Sequence, residues 1–412
     1  MPEFLKLTPP DEALDIFFRN MPTAHPKRER IETANALGRV LAEDVFSPET
    51  LPAFSRSTVD GYAVRAADTF GASDSLPVYL NLVGEVPMGG EPAFALRPTE
   101  TAVIHTGGMI PEGTDAVVMV EYTQTTHPGE VEVYKAVASG QNIIYAGEDL
   151  KPGEEVLPAG TVLRPVEIGG LLALGITEIE VAVKPRIGIL SSGDEVVEPH
   201  VSISPGQVRD INSYTLSALI EVHGGQPVRY GVVKDDPDTL EARMAQAMQE
   251  CEGVVVTAGS SASIRDLTAE VIGRMGKPGV LVHGVNVRPG KPTILGVCDG
   301  KPAIGLPGNP VSALVIAGIF VVPVLRHLLG VTCVRPAAQV SAKLMTNVSS
   351  PDGREVWMPV TLKAVPEGYQ AEPIYFKSNL IFNLARADGL MRIPHTATGL
   401  AAGSEVSVSL LN

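Results

Sequence analysis

The chain has 412 residues, 44% hydrophobic and 19% charged, which is ordinary globular material with room for two to four domains. Lys plus Arg number 32 against 47 Asp plus Glu; the formal charge of −15 argues against general affinity for nucleic acid or an anionic membrane, so an anionic ligand needs a local basic pocket. The three cysteines, Cys251, Cys298 and Cys333, lie far apart without a C-x-x-C and read as structural residues of a reducing compartment.

The N-terminal "MPEFLKLTPPDEALDIFF" lacks the basic start and continuous apolar stretch of a signal peptide, and a soluble, cytoplasmic protein is expected. Residues 8–20 predict a helix, with Pro9 and Pro10 near its first turn and acidic residues where the helix dipole favours them. A second helix is predicted over 27–39. From about 45 to 180 the sequence is rich in Val, Gly and Pro and predicts β structure, with a helix at 165–175.

From 186 strand and helix alternate. Residues 186–192 read as a strand, 212–225 as a helix stopped by two glycines, and 226–233 as a strand. Residues 236–250 form a helix capped by Asp236 with Pro237 at its first position, followed by a strand at 253–259. Asp266 to Met275 is helical, and a strand at 303–306 followed by a helix at 310–329 closes the series. The apolar run Ala313 to Leu325, broken by Pro323, reads as a buried helix too short to span a bilayer. This alternation predicts a parallel sheet covered on both faces. Residues from about 331 return to β character, as a separate small domain.

Ligands of open α/β sheets bind beyond the carboxyl ends of the strands. That rule selects the loops 191–195, 257–266 and 307–310. Asn309 can cap the last helix with Pro310 at its first position, while Pro307 and Gly308 let backbone approach a ligand; the free N–H groups of that helix start offer an anion site. Arg288 and Lys291, three residues apart across Pro289 and Gly290, supply positive charge suited to phosphate or another oxyanion. A Walker A loop is excluded, because Pro292 stands where Ser or Thr would bind magnesium. Loop carboxylates Asp60, Asp149, Asp194, Glu195 and Asp210, without clustered Cys or His, suit Mg²⁺ better than zinc. No G-x-S-x-G, H-E-x-x-H or Ser-His-Asp arrangement occurs.

Seven motifs, "RSTVDGYAV", "HTGGMIPEGTDAVV", "GEDLKPGE", "SSGDEVVEP", "GQVRDINSY", "RPGKPTILG" and "GLPGNPVSA", occur in an order and spacing that resembles the MoeA family of molybdopterin molybdenumtransferases, and with it the E domains of gephyrin and its plant counterpart. The resemblance covers essentially the whole chain. It implies an enzyme of molybdenum cofactor biosynthesis that inserts molybdate into adenylylated molybdopterin, with Mg²⁺-dependent cleavage of the adenylate and release of AMP. A non-catalytic molybdopterin- or molybdate-binding or scaffold paralogue, and a tungstate-preferring insertase, are the alternatives.

The implied architecture is a doubly wound, MogA-like α/β domain (186–330), β-rich N-terminal lobes and a small C-terminal β domain (331–412). The N-terminal lobes divide into a dimerising lobe, 1–45 plus 150–185, whose residues 1–22 can pack on the α/β domain, and a second lobe, 46–149. The family is an elongated homodimer whose cleft lies between the second lobe of one subunit and the third and fourth of its partner; the molybdopterin adenylyltransferase is a candidate further partner. Carried over by motif, the catalytic set is Asp60, Thr106, Asp149, Glu195 and Asp266, with Asp60, Asp149 and Glu195 as Mg²⁺ ligands. The substrate-binding set is Asp210, Asn212, Ser213, Arg288, Lys291, Pro307, Gly308, Asn309 and Pro310, with Arg354 and Ser378 holding molybdate. Two departures stand out. The third-strand loop is "AGSSASIRD", with Ser260 and Ile264 where the family has glycines, and Ile144 and Tyr145 stand where many members carry Arg.

Overall fold

The computed structural model describes residues 7–258, 262–350 and 353–411, with side chains for all of these except 262–266. The chain divides into two compact units: Asp44–Pro158 with Gly169–Thr177, and the remainder. In the first unit a six-stranded sheet runs in the order Ala116–Met119, Gly61–Val64, Glu100–Ile104, Val78–Glu85, Glu130–Val133, Thr123–His127. Its two faces bury separate apolar sets, one around Ala63, Ala102, Ile104 and Val117, the other around Val64, Leu80, Ala116 and Val118. That division is the alternation a two-sided sheet requires.

The larger unit is built on a second six-stranded sheet, in the order Gln226–Val233, Arg186–Ser192, Gly253–Ala258, Lys301–Pro307, Ile294–Cys298, Pro278–His283. The first four strands are parallel. Ile294–Cys298 is antiparallel to both its neighbours, so the sheet is mixed where the sequence predicts a purely parallel one. The reason is local: Lys301 follows Cys298 after a two-residue turn through Asp299 (φ 50°) and Gly300 (φ 85°), and a hairpin can only return antiparallel. Helices cover both faces. Pro10–Asn20, Asn212–Val222 and Pro310–Ile316 bury Phe17, Leu216, Ile220, Ala313 and Ile316 on one; Pro237–Glu250 and Ala262–Arg274 bury Leu240, Met244, Val271 and Ile272 on the other.

Pro237–Glu250 starts as its sequence predicts, with the Asp236 carboxylate accepting from Thr239 N at 2.9 Å and Pro237 in the first turn. The helix expected from Asp266 begins earlier, at Ala262. The predicted closing helix is three segments, Pro310–Ile316, a π-helical Ala317–Val321 and Val322–Leu328. Pro323 has no N–H to return to the preceding turn, and the wider turn lies immediately before it. By length and composition Pro310–Leu328 could cross a membrane, longer than the sequence reading allows, yet 61% of it is buried in the protein, with Phe320 and Leu325 wholly inside the core.

The predicted helix over 27–39 is instead a strand, Arg28–Glu32, antiparallel to Glu178–Ala182, and a short 3₁₀ turn, Thr33–Asn35. Ile31 is the only apolar residue of 28–32, so a helix there would have no face to bury. As a strand it alternates exposed and half-buried residues and pairs Arg30 with Glu178 at 3.0 Å. Nearby, the buried Glu167 accepts from Arg164 and from Arg335, fixing the connector that leads to the C-terminal domain. These two guanidiniums, Arg164 foremost, hold its carboxyl at about 2.

The C-terminal strands close on themselves. Glu355–Val365, Gly368–Pro373, Gln339–Leu344, Glu405–Leu410 and Gly389–Ile393 form a ring, because Glu355–Val365 pairs with both Gly368–Pro373 and Gly389–Ile393. A five-stranded barrel results, filled by Val360, Ala371, Met391, Ile393 and Val408. Of the cysteines, Cys251 and Cys298 are buried, which pushes the Cys298 thiol up to about 11, and Cys333 is half-buried.

Candidate active site

The α/β sheet and the barrel meet at the segment Val287–Arg288, which adds in parallel to the barrel strand Glu355–Val365 with Arg288 opposite Val356. A cavity of about 640 Å³ opens beside this junction. Arg288, Lys291, Pro307, Gly308 and Asn309 line its α/β side, Tyr375, Phe376, Lys377 and Ser378 its barrel side. Among the described residues its lining carries three basic side chains, Arg288, Lys291 and Lys377, and no acidic one. Gly290 lies so close to the helix that a side chain on it would strike Ile316 Cγ1 at 2.2 Å; its φ of 117° is also one that glycine tolerates. This contact seats the Arg288–Lys291 loop.

Asn309 occupies the N-cap position, but its side chain does not cap the helix as expected; Nδ2 donates to Ser378 Oγ at 3.0 Å. The helix start is also less open than predicted. Pro310 has no N–H, Val311 N donates to Ser378 O at 3.1 Å, and Ala313 N donates to Asn309 O at 2.9 Å. The positive charge at the cavity is therefore carried by the Arg288, Lys291 and Lys377 side chains more than by the helix terminus. Lys377 was not singled out by sequence, although it stands beside Ser378 in "FKSNL".

Behind the cavity, Asn212 Nδ2 donates to Gly308 O at 2.8 Å, while its Oδ1 is buried without a partner among the described residues. Asp210 is buried with its oxygens engaged: Oδ1 accepts from Ser191 Oγ at 2.9 Å and Ser213 N at 3.1 Å, Oδ2 from Ser213 Oγ at 2.6 Å. It holds the turn into Asn212–Val222 against the first strand. Glu195 lies in the loop after that strand, its carbonyl accepting from Val208 N. Arg354 immediately precedes the strand Glu355–Val365 and is not among the cavity's lining residues, and Pro310 sits one residue behind the lining Asn309. Residues 259–261 of the third-strand loop, including Ser260, and the side chains of Ile264 and Asp266 lie outside the described residues.

In the smaller unit Asp60 precedes the strand Gly61–Val64. Its Oδ1 accepts from Thr106 N at 2.8 Å and Thr106 Oγ1 at 3.2 Å, with His105 Nδ1 at 3.7 Å. The Thr106 N–H foremost holds the Asp60 carboxyl below its usual range. His105 Nε2 lies 3.0 Å from Glu85 Oε1, so His105 bridges two carboxylates; neither it nor Glu85 is conspicuous in the sequence, although His105 opens the stretch "HTGGMIPEGTDAVV". Asp149 is exposed in the turn that follows Gly147. Among the described residues no three His, Cys, Asp or Glu side chains are gathered to hold a metal.

Three family models match in succession: the MoeA N-terminal region (domains I and II) over residues 8–175, a probable molybdopterin binding domain over 188–327, and the MoeA C-terminal region (domain IV) over 341–411. A molybdopterin molybdenumtransferase of Nostoc sp. is 32% identical over 96% of this chain and 92% of its own. A putative molybdopterin biosynthesis protein of Methanocaldococcus jannaschii is 35% identical over 93% and 92%. The chain belongs to the MoeA family. The crystal structure of a MoeA protein from Pyrococcus horikoshii matches with a TM-score of 0.84 at 32% identity, covering 98% of this chain and all of that one. Within the MoeA frame, Arg288, Lys291 and Asn309 fall in the molybdopterin-binding match, Ser378 in the C-terminal match, and Asp60, Thr106 and Asp149 in the N-terminal match.

Proposed function

We propose that this MoeA protein works as a molybdopterin molybdenumtransferase through the cavity at the junction of the α/β sheet and the barrel. It is an enzyme of molybdenum cofactor biosynthesis, inserting molybdate into adenylylated molybdopterin with cleavage of the adenylate. The observation that carries the site assignment is the convergence of Arg288, Lys291 and Lys377 on one cavity with no acidic lining among the described residues. A phosphate-bearing pterin and a dianionic oxyanion both need such a surface. The buried, unpartnered Asn212 Oδ1 is an acceptor suited to a pterin N–H.

The reaction also needs charge neutralisation at the diphosphate, which Mg²⁺ supplies when bound. The oxygen donors of Asp60, Asp149 and Glu195 fit that ion, and Asp60 is kept ionised by Thr106. Because no carboxylate lines the cavity among the described residues, we infer a homodimer in which Asp60 and Asp149 of one subunit serve the cavity of the other. The molybdopterin adenylyltransferase, whose product this enzyme consumes, is the proposed protein partner, and the cytoplasm the proposed compartment. Incubation of the purified protein with adenylylated molybdopterin, Mg²⁺ and molybdate or tungstate, with AMP and cofactor measured together, tests the reading. AMP release coupled to molybdate is expected; pterin binding without AMP release would refute it.

A further inference from the structure

The barrel buries one carboxylate that the reaction does not use. Glu355 is 2% exposed, and both its oxygens are taken: Oε1 accepts from Trp357 Nε1 at 2.8 Å and Oε2 from Arg392 NH2 at 2.6 Å. Arg392 also reaches Asp11 Oδ2, at 3.3 Å, on the N-terminal helix that packs on the α/β sheet. The backbone of the same residue makes the junction: Glu355 N donates to Asn286 O at 3.2 Å, Val287 is its register partner, and Asn286 Nδ2 donates to Gly353 O. One residue further along, Val356 pairs with Arg288 and lines the cavity together with Met358.

Alternation along a strand puts Glu355 and Trp357 on the face opposite to Val356 and Met358. Trp357 is the register partner of Arg392 and packs against both the α/β core and the cluster of Val311, Val315, Leu384 and Leu390. The cluster thus lies directly behind the wall of the cavity, touching both bodies that form it. Glu355 is buried, but Arg392 keeps 46% of its side chain exposed, and an ion pair screened in this way contributes little net stability, so stability alone does not account for it. What it supplies is one fixed arrangement, since both oxygens must meet their donors together.

We propose that Glu355, held by Trp357 and Arg392, is a positioning residue that sets the register of the barrel against the Arg288–Lys291 loop and so the spacing of the two walls that grip the oxyanion. This rests on the assignment of the cavity as the oxyanion site, and the test separates the two. Molybdate alone is titrated calorimetrically into the wild-type protein, Glu355→Gln, Arg392→Met and the double variant, with thermal stability followed in parallel. The emission of Trp357, the only tryptophan of the chain, reports the junction.

Arg392→Met leaves the buried Glu355 carboxylate without its charged partner and should lose the most stability; Glu355→Gln should lose less, because Arg392 keeps Asp11 and solvent, and the double variant, with no buried charge, should recover most of the Arg392→Met loss. Molybdate affinity should stay weakened by about tenfold in the double variant, with shifted Trp357 emission, because the register is lost although the fold is sound. Recovery of affinity together with stability would overturn the proposal and leave Glu355 a purely structural residue. If the Glu355 variants do not fold, Trp357→Phe, which deletes one donor, carries the test: affinity lowered about two- to threefold supports the proposal, and unchanged affinity overturns it. Failure of the wild-type protein to bind molybdate would refute the cavity assignment itself.

Discussion

Asn309 Nδ2 donates to Ser378 Oγ at 3.0 Å, and the carbonyl of Ser378 accepts from Val311 N at 3.1 Å, so one barrel residue holds both the loop and the first turn of the helix that edge the cavity. Ser378→Ala removes the first bond and keeps the second. The loss in stability should be modest, about 0.5–1.5 kcal/mol, because the pair is only partly buried. The KM for molybdate should rise several-fold. A KM equal to that of the wild type would show that Asn309 does not need this partner to shape the pocket.

Asp60 gathers its hydrogen bonds on Oδ1, from Thr106 N and Thr106 Oγ1. These hold its carboxyl below the usual 3.8, so its contribution to stability is present above that value and is lost only as the pH falls through the lower, folded-state value. Asp60 should therefore remain ionised throughout the range from about pH 5 to 8, and Asp60→Asn should lower kcat without moving the pH profile. Pterin affinity should be nearly intact, since a metal-positioning carboxylate acts mainly in the transition state. Unaltered turnover and metal dependence together would reduce Asp60 to a turn residue.

The proposed division of the site between subunits makes a quantitative forecast. When inactive Asp60→Ala and Lys291→Ala dimers exchange subunits at equal amounts, half the dimers become mixed. Each mixed dimer has one cleft with both lesions and one with neither, so roughly a quarter of wild-type activity should return. No recovery, with exchange verified by native mass spectrometry, would place both residues in one subunit's site.

Glu167 links Arg164 to the connector residue Arg335 and titrates at about 2, well below its usual 4.5. Its lowered value means stability that is complete above pH 4.5 and is lost as the pH falls from there toward 2. Glu167→Gln should cost roughly 3 kcal/mol at neutral pH, and the gap in melting temperature from the wild type should close on acidification. A gap independent of pH would mean that packing, not charge, is what the substitution disturbs.

Much of this was legible in the sequence. The Asp236–Pro237 start, the strands at 186–192 and 226–233 and the basic pair Arg288 and Lys291 follow from local chemistry that the fold does not override. The strand Arg28–Glu32 was not legible, because its partner lies about 150 residues away and its own residues carry no strong β signal. Asn309 looked like an ordinary cap because Ser378, the partner that captures its side chain, is distant in sequence. Glu355 is inconspicuous in the sequence for a similar reason. A carboxylate beside an arginine reads as solvated surface until the closure of the barrel brings Arg392 and Trp357 to it.

The central claim is that the oxyanion binds in the cavity between Arg288, Lys291, Asn309 and Ser378. Crystals grown with molybdate, measured on both sides of the molybdenum absorption edge, locate the metal without reference to turnover. The account predicts an anomalous peak within hydrogen-bonding reach of those side chains, lost in Lys291→Ala. A peak elsewhere in the protein, with this cavity empty of molybdenum, would contradict it.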